Sequence, residues 1–176
     1  MTAPYVLGDI MLLKPKIKLE KVTDITTEIL QKYNIDSLIL DVDNTLSTHH
    51  GDVLTDGLED WLETMHKNGI KLMVLSNSKE RRVKPFAEKI GLPFISLGLK
   101  PLPFGYIRAL KALGSKRKNT AIVGDQIFTD VLGGNLVGVK TLLLTPILLE
   151  STAGFKFKRK IERVVFKLYR IKNTEV

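Results

Sequence analysis

The 176-residue chain contains no cysteine, which excludes disulfide bonds and thiolate metal ligands and fits a reducing cytoplasm. No apolar run approaches the roughly 20 residues of a membrane-spanning helix. The nearest candidate, residues 142–149, is short and contains Pro146. The amino terminus also lacks the basic-then-apolar order of a signal peptide. We therefore expect a cytoplasmic chain that does not span a membrane.

The chain does have the size and composition of one globular domain covering residues 1–176, with 44% hydrophobic residues. Its net charge of +8 is unevenly placed. Residues 155–172 hold eight Lys or Arg against one acid, Glu162, so this segment carries +7 and the remainder is near +1. A basic tail on a near-neutral domain indicates attachment to an anionic surface. We predict a core at about 22–150 and a basic helical segment at about 151–176.

Short apolar runs predict five strands, at residues 38–42, 70–75, 93–97, 120–123 and 139–144. Apolar residues at helical spacing predict the connecting helices, at residues 58–65, 83–90, 104–113 and 127–136. An earlier helix is expected to be capped by Thr23. Alternating strands and helices predict a Rossmann-like α/β fold with three α/β/α layers and a mainly parallel sheet.

Two carboxylates, Asp41 and Asp43, lie two residues apart where the first predicted strand runs into a turn. Residues i and i+2 of a strand project to the same side, so the two can converge and attract Mg²⁺. One carboxylate can then attack phosphorus while the other handles the leaving-group proton. A calcium loop of the EF-hand type is excluded, because its sixth and twelfth positions require Gly and Glu but hold Leu46 and Asp52.

The other predicted strands also end in polar residues: Ser76-Asn77, then Lys100, then Asp125 with Asp130 shortly after. Taken singly, each is an ordinary turn, cap or loop residue. Ligands of a parallel sheet bind beyond the carboxyl ends of its strands, however, and four strands here deliver polar groups to that edge. The combination favours phosphoryl transfer, which needs a divalent ion and a cation facing the phosphoryl oxygens.

These segments resemble the four motifs of the haloacid dehalogenase superfamily of phosphohydrolases, from about residue 38 to 145. The first motif is matched by Asp41-Val42-Asp43-Asn44-Thr45-Leu46 and the second by Leu75-Ser76-Asn77. The third is matched by Lys100-Pro101, and the fourth by Gly124-Asp125-Gln126 with Asp130. The resemblance implies the fold of that superfamily and an aspartyl-phosphate intermediate.

The resemblance also implies residue roles. Asp41 is the expected nucleophile and Asp43 the general acid and base. The phosphoryl group is expected to contact Thr45, Ser76, Asn77 and Lys100, with Lys100 also neutralising charge on the nucleophile. Mg²⁺ is expected between Asp41, the Asp43 carbonyl and Asp125, while Asp130 holds the metal's water or Lys100.

The intervals between the motifs leave no room for the cap domain usual in this superfamily. An uncapped site suits a large or embedded phosphorylated substrate. The motifs are similar to class IIIA members called the YqeG family, which is related to mitochondrial phosphatidylglycerophosphate phosphatases. That resemblance implies a lipid headgroup as substrate, with peripheral attachment to the inner face of the membrane left open.

The C-terminal segment places five apolar residues on one face if it is helical: Phe157, Ile161, Val164, Val165 and Leu168. This stripe can dock on the core, contact lipid, or leave a basic face for lipid after docking. Two other functions also remain open. One is a soluble phosphatase acting on a sugar phosphate, nucleotide or phosphoprotein; the other, disfavoured because every catalytic position is filled, is a nucleic-acid-binding module with a vestigial site.

Overall fold

The computed structural model describes residues 12–48, 54–147 and 153–169. Within them lies one six-stranded sheet in which every pairing is parallel. Its strands are β1 (Ile17–Leu19), β2 (Ser37–Leu40), β3 (Lys71–Leu75), β4 (Phe94–Ile95), β5 (Thr120–Gly124) and β6 (Lys140–Leu144). The helices are α1 (Thr27–Lys32), α2 (Leu58–Lys67), α3 (Glu80–Lys89), α4 (Pro103–Leu113), α5 (Leu132–Val137) and α6 (Ala153–Tyr169). The predicted α/β fold is thus confirmed.

Alternation along the buried strands divides the core into two layers. In β2, Leu38 and Leu40 pack with Trp61 and Phe86, which α2 and α3 bring to one face of the sheet. The intervening residue, Ile39, belongs to the cluster on the other face with residues of α4 such as Tyr106. Because successive strand residues point to opposite faces, a strand buried on both faces, such as β2, requires helices on both sides.

The strand order β1-β6-β5-β2-β3-β4 places a topological switch between β2 and β5. From β2 the chain moves outward through β3 to β4, and it then returns by α4 to β5 and continues to β6 on the other side. The helices connected to the two strands therefore lie on opposite faces, and a crevice opens at their carboxyl ends. Asp41 and Asp125 directly follow these two strands.

The connections on either side of β3 are short. Among the described residues, α2 is the helix between β2 and β3, and α3 is the helix between β3 and β4. Neither described interval contains a separate cap domain, as the sequence predicts. No described helix has the length and hydropathy needed to cross a bilayer.

Two features at the amino-terminal end differ from the sequence prediction. Strand β1 is absent from that prediction, although it pairs with β6 and extends the sheet beyond the expected start of the core at about residue 22. It has only three residues, of which Ile17 and Leu19 are buried, so its periodicity is too brief to recognise. The predicted cap is also wrong: Thr26, not Thr23, accepts a hydrogen bond from Ile29 N and begins α1.

Helix α6 docks on the core. Val165 is buried against Ile127, Val131 and Leu143, and Phe166 and Tyr169 pack around that cluster. The predicted single apolar stripe is therefore wrong in part, because Val164 and Leu168 are exposed. Residues 155–159 and Ile161 lie outside the side chains that the structure describes.

Candidate active site

The candidate site lies at the carboxyl edge of the central strands, and its centre is a buried ion-pair network. Lys100 Nζ donates to Asp41 Oδ1 at 2.6 Å and to Asp130 Oδ1 at 2.7 Å. The side chains of all three residues are at most 8% exposed. The structure thus brings together residues that are 30 and 59 positions apart in the sequence.

Three carboxylates share this edge of the sheet. Oxygen atoms of Asp41, Asp125 and Asp130 all lie within 4.8 Å of one another, and all three residues are buried. Three carboxylates and the Lys100 ammonium give the group a formal charge of −2. Like charges so close together in a medium of low polarity repel strongly, so a divalent cation would balance the cluster. An all-oxygen donor set is the kind that hard cations prefer.

The network shifts the pKa values of its members. Burial raises the pKa of Asp41 to about 7, with Lys100 opposing and Asp130 adding to the rise. For Lys100, burial favours the neutral form, but the adjacent Asp130 and Asp41 carboxylates outweigh it and hold the pKa above its ordinary value. The lysine therefore stays cationic and offers a fixed positive charge at the base of the site.

Asp130 is held in place from two sides. Its Oδ2 accepts a hydrogen bond from Gln126 N at 3.2 Å, while Oδ1 accepts from Lys100. The carboxylate occupies the space beside Gly124, where a Cβ would come within 2.3 Å of it. Glycine is therefore required at the end of β5 for Asp130 to reach Lys100. The structure thus shows Asp130 in contact with Lys100, and the role of Asp130 beside the metal stays a prediction.

Asn77 holds the loop that carries Lys100. Its Nδ2 donates to Lys100 O at 3.0 Å, and its Oδ1 accepts from Lys100 N at 2.7 Å. This paired contact fixes the lysine backbone. The phosphate contact expected of Asn77 stays a prediction, because the contacts that the structure shows give the residue a positioning role.

Ser76, which directly follows β3, and Thr45 are both buried. Ser76 Oγ accepts from Ser78 N at 3.1 Å, which leaves its hydroxyl proton to donate elsewhere. Thr45 Oγ1 is buried and has no hydrogen-bond partner within the described part of the chain. Buried polar atoms are normally satisfied, so an unsatisfied hydroxyl here suits a phosphate oxygen.

Asp43 lies nearer to solvent than Asp41 and contacts a residue that the sequence does not indicate. Arg82 Nη2, in the first turn of α3, donates to Asp43 Oδ1. Ser78 Oγ approaches Asp43 Oδ2 at 3.5 Å. The side chains of Asp43 and Arg82 are 19% and 38% exposed, so the pair stands at the mouth of the site. No motif links these two residues, which are 39 positions apart, so no sequence signal points to Arg82.

Tyr106 and Glu162 are further contributors that sequence reasoning missed. Tyr106 is fully buried and donates from its hydroxyl to Thr129 O at 2.8 Å. Burial and the nearby Asp130 raise its pKa, so it remains a neutral donor. Glu162 of α6 is buried and accepts from Ile127 N at 3.0 Å. Both contacts support the π-helical turn Ile127–Val131, which carries Asp130.

A lysine and three carboxylates gathered at the carboxyl edge of a parallel α/β sheet suit the chemistry of phosphoryl transfer. The chain belongs to the haloacid dehalogenase-like hydrolase family, whose model matches residues 12–138. The "Probable phosphatase YqeG" of Bacillus subtilis is 41% identical over 141 residues, which are 79% of this chain and 81% of that protein. This confirms the resemblance to the YqeG family.

Two further comparisons agree at greater distance. The "Pyrophosphatase PpaX" of Halalkalibacterium halodurans is 29% identical over 107 residues, covering 54% of this chain and 49% of that protein. The crystal structure of a 4-nitrophenylphosphatase from Thermotoga maritima superposes with a TM-score of 0.58 at 14% identity. The match covers 74% of this chain and 90% of that one. At such low identity this last likeness concerns the fold alone.

Proposed function

We propose that the protein is a Mg²⁺-dependent phosphomonoester hydrolase that acts through an aspartyl-phosphate on Asp41. Its proposed substrate is phosphatidylglycerophosphate at an anionic membrane surface. The observation that carries the proposal is the Lys100 ammonium between Asp41 and Asp130, in a cluster with two excess negative charges. Phosphoryl transfer depends mainly on positioning and charge stabilisation, which such a fixed cation supplies.

The first step is attack by Asp41 on the phosphorus atom. Lys100 binds Asp41 Oδ1, so we assign the attack to Oδ2. The new bond joins Oδ2 to phosphorus, and the bond from phosphorus to the ester oxygen breaks. Asp43 gives a proton to the departing alkoxide. Thr45 and Ser76 donate hydrogen bonds to the phosphoryl oxygens, and Lys100 offsets their charge.

The second step releases phosphate. Asp43, now ionised, takes a proton from a water molecule, whose oxygen attacks the phosphorus atom. The bond to Asp41 Oδ2 breaks and the nucleophile is restored. Asp43 lies at the mouth of the site, where Arg82 orients its carboxylate and favours the ionised form that acts as the base of this step. The same carboxyl group can act as acid and then as base because it loses a proton to the leaving group in the first step and regains one from water in the second.

The divalent ion would be held by Asp41, the Asp43 carbonyl and Asp125, with Asp130 beside them. When bound, it would supply charge stabilisation for the phosphoryl group and offset the repulsion among the carboxylates. The cluster of three buried acids and the absence of cysteine support a hard cation such as Mg²⁺.

The lipid substrate rests on the resemblance to the YqeG family and on two features of the structure. The described intervals flanking β3 contain no cap, which leaves the site open to a headgroup embedded in a surface. Helix α6 also docks by one face, so the exposed residues Lys160, Arg163 and Lys167 remain on the other. Such basic residues near an anionic leaflet each add about 1 kcal/mol of attraction.

Phosphate release from a substrate panel with and without Mg²⁺ tests the proposal. The panel contains phosphatidylglycerophosphate in micelles, sugar phosphates, nucleotides, a phosphopeptide and pyrophosphate. We expect preference for the lipid, loss of turnover with a chelator, and under about 3% residual activity for Asp41→Asn at an unchanged melting temperature. Preference for a small soluble substrate would refute the lipid substrate and favour the alternative function, a soluble phosphatase. An active Asp41→Asn variant would refute the assignment of Asp41 as the nucleophile.

A further inference from the structure

A group of exposed apolar side chains lies within seven residues of the buried Lys100 in the sequence. We call the group the apolar rim: Leu97, Leu99, Leu102, Phe104 and Ile107, with exposed fractions of 55%, 56%, 50%, 61% and 45%. Single exposed apolar residues are normal, but five of them in one short segment that also carries a functional residue indicate an interaction site. The proposed catalytic steps use none of these five side chains.

The backbone conformation of the rim indicates that its leucines do not serve the stability of the fold. Leu97 and Leu99 have φ values of 48° and 55°, in the left-handed region that leucine rarely adopts. Glycine or asparagine would fit that conformation better. Neither burial nor backbone preference explains an exposed leucine there, and backbone strain of this kind is concentrated at functional sites and ligand contacts.

The rim is also held rigidly. Leu97 N donates to Ser78 O at 3.0 Å, and Leu102 N donates to Leu99 O at 2.8 Å. The first turn of α4 packs so closely on the loop that a Cβ at Gly105 would lie 2.3 Å from Gly98 O. A preorganised apolar surface loses little conformational entropy when it is buried by a partner.

The charge around the rim indicates what the partner is. The sequence from Lys89 to Gly124 contains no Asp or Glu. Arg108 is exposed on α4 one residue after Ile107, and Lys79 is exposed next to the Ser78 carbonyl that binds Leu97. Apolar side chains bordered by basic ones complement the interface of an anionic bilayer, where acyl chains meet negative headgroups.

We propose that the apolar rim inserts into the interface of an anionic bilayer and thereby brings Lys100 and Asp41 to the level of the lipid phosphates. The inference deepens the proposed function and rests on it. Leu99 and Lys100 are adjacent, so their Cα atoms are only about 3.8 Å apart. Apolar side chains of interfacial proteins enter the headgroup region by about 5–10 Å, so insertion of Leu99 leaves its neighbour among the headgroups.

Vesicle sedimentation tests the proposal on the full chain. The first variant, Leu97→Asn with Leu99→Asn, removes two apolar side chains and suits the left-handed backbone. The second, Phe104→Gln with Ile107→Gln, changes the helical part of the rim. The control is Leu136→Gln, which alters a leucine of equal exposure (54%) on α5. We expect each rim variant to bind anionic vesicles about tenfold more weakly or worse, and the control to bind within about twofold of wild type.

A label provides an independent measurement. Because the chain has no cysteine, Phe104→Cys and Leu136→Cys each introduce a single site for a polarity-sensitive fluorophore. With anionic vesicles, we expect a blue shift at position 104 and none at position 136. No shift at position 104, or equal binding by wild type and both rim variants, would overturn the proposal. So would a wild-type dimer in the absence of lipid that the rim variants abolish, since the rim would then join two copies of the chain.

Turnover separates this inference from the proposed function. The Phe104→Gln/Ile107→Gln variant should hydrolyse a small aryl phosphate like wild type and lose activity only on lipid in vesicles. The Asp41→Asn variant should lose all turnover yet bind vesicles normally. Rim-dependent binding without hydrolysis of any lipid phosphate would leave the bilayer contact standing and refute the proposed substrate. Turnover of lipid in micelles without rim-dependent binding would support the proposed substrate and refute the bilayer contact of the rim.

Discussion

Replacing Lys100 by methionine removes the one ammonium in the buried cluster while keeping a side chain of similar length. The ammonium lies 2.6 Å from Asp41 Oδ1 and 2.7 Å from Asp130 Oδ1, and the three side chains are 3%, 8% and 2% exposed. Without it, the formal charge of the cluster falls from −2 to −3. Removal of one partner of a buried ion pair costs about 3–5 kcal/mol, because the remaining charge is left uncompensated.

For a chain of this length, about 1 kcal/mol corresponds to a shift of about 2–4 °C in the melting temperature. We therefore expect Lys100→Met to melt about 6–20 °C below wild type in the presence of a chelator at about pH 8. The matched control is Lys111→Met, which changes an exposed lysine of α4 and should alter the free energy of unfolding by less than about 0.5 kcal/mol.

The pH dependence of this variant has a definite sign. Burial already raises the pKa of Asp41 to about 7 against the opposing effect of Lys100, and loss of the lysine raises it further. The folded variant then binds a proton more tightly than the unfolded chain does, so its stability should recover as the pH falls from about 8 towards about 5. The assay is calorimetry across this range with chelator present.

A double-mutant cycle isolates the interaction. Lys100→Met combined with Asp130→Asn restores the formal charge of −2, so the two losses should be clearly less than additive. Strict additivity would mean that the Lys100 ammonium and the Asp130 carboxylate do not stabilise each other. A melting temperature for Lys100→Met within about 2 °C of wild type would refute the reasoning outright, since the cluster would then not depend on its ammonium.

Three other outcomes follow from the site. Mg²⁺ at about 100 times its dissociation constant should stabilise the wild-type protein by about 2.7 kcal/mol in thermal melts, and Asp125→Asn should lose most of this effect. Glu162→Ala leaves Ile127 N without its acceptor, so it should lower the free energy of unfolding by about 1–3 kcal/mol and reduce kcat more than it changes KM. Glu162→Gln keeps an acceptor oxygen and should retain most of the stability and most of the activity. Thermal melts and steady-state kinetics measure the two effects. Neutralising the exposed basic face of α6 should weaken sedimentation with anionic vesicles at low salt, and neutralising three exposed residues elsewhere, Lys116, Arg117 and Lys118, should not. The three residues changed to Gln on α6 are Lys160, Arg163 and Lys167.

The fold and the composition of the site were predictable from the sequence because both depend on local patterns. Strands β2, β3, β4 and β5 are apolar runs, and each is followed by a polar residue of the site, so periodicity indicates the strands and topology indicates the shared edge. The partner contacts were not predictable in this way. Arg82 with Asp43 and Glu162 with Ile127 join residues 39 and 35 positions apart, and no periodicity relates them.

Helix α6 shows why hydrophobic patterning alone does not identify the face of a helix that packs on the core. Glu162 is 2% exposed and Val165 is 5% exposed, whereas Val164 and Leu168 are 51% and 68% exposed. A helical wheel weighted by hydropathy places the glutamate outward. The backbone N–H of Ile127, at the start of the turn that carries Asp130, requires an acceptor once it is buried, and Glu162 supplies it.

The hydrogen bond from Ile127 N to Glu162 also determines which face of α6 is exposed. The docked face of α6 carries Glu162, Val165, Phe166 and Tyr169 at positions i, i+3, i+4 and i+7, so the opposite face is fixed as well. That face presents Val164 and Leu168 together with the exposed residues Lys160, Arg163 and Lys167. A helix docked by its apolar stripe would have offered charge alone to a membrane. The observed docking leaves apolar and basic side chains exposed together on α6, the same combination that the apolar rim and its basic neighbours present.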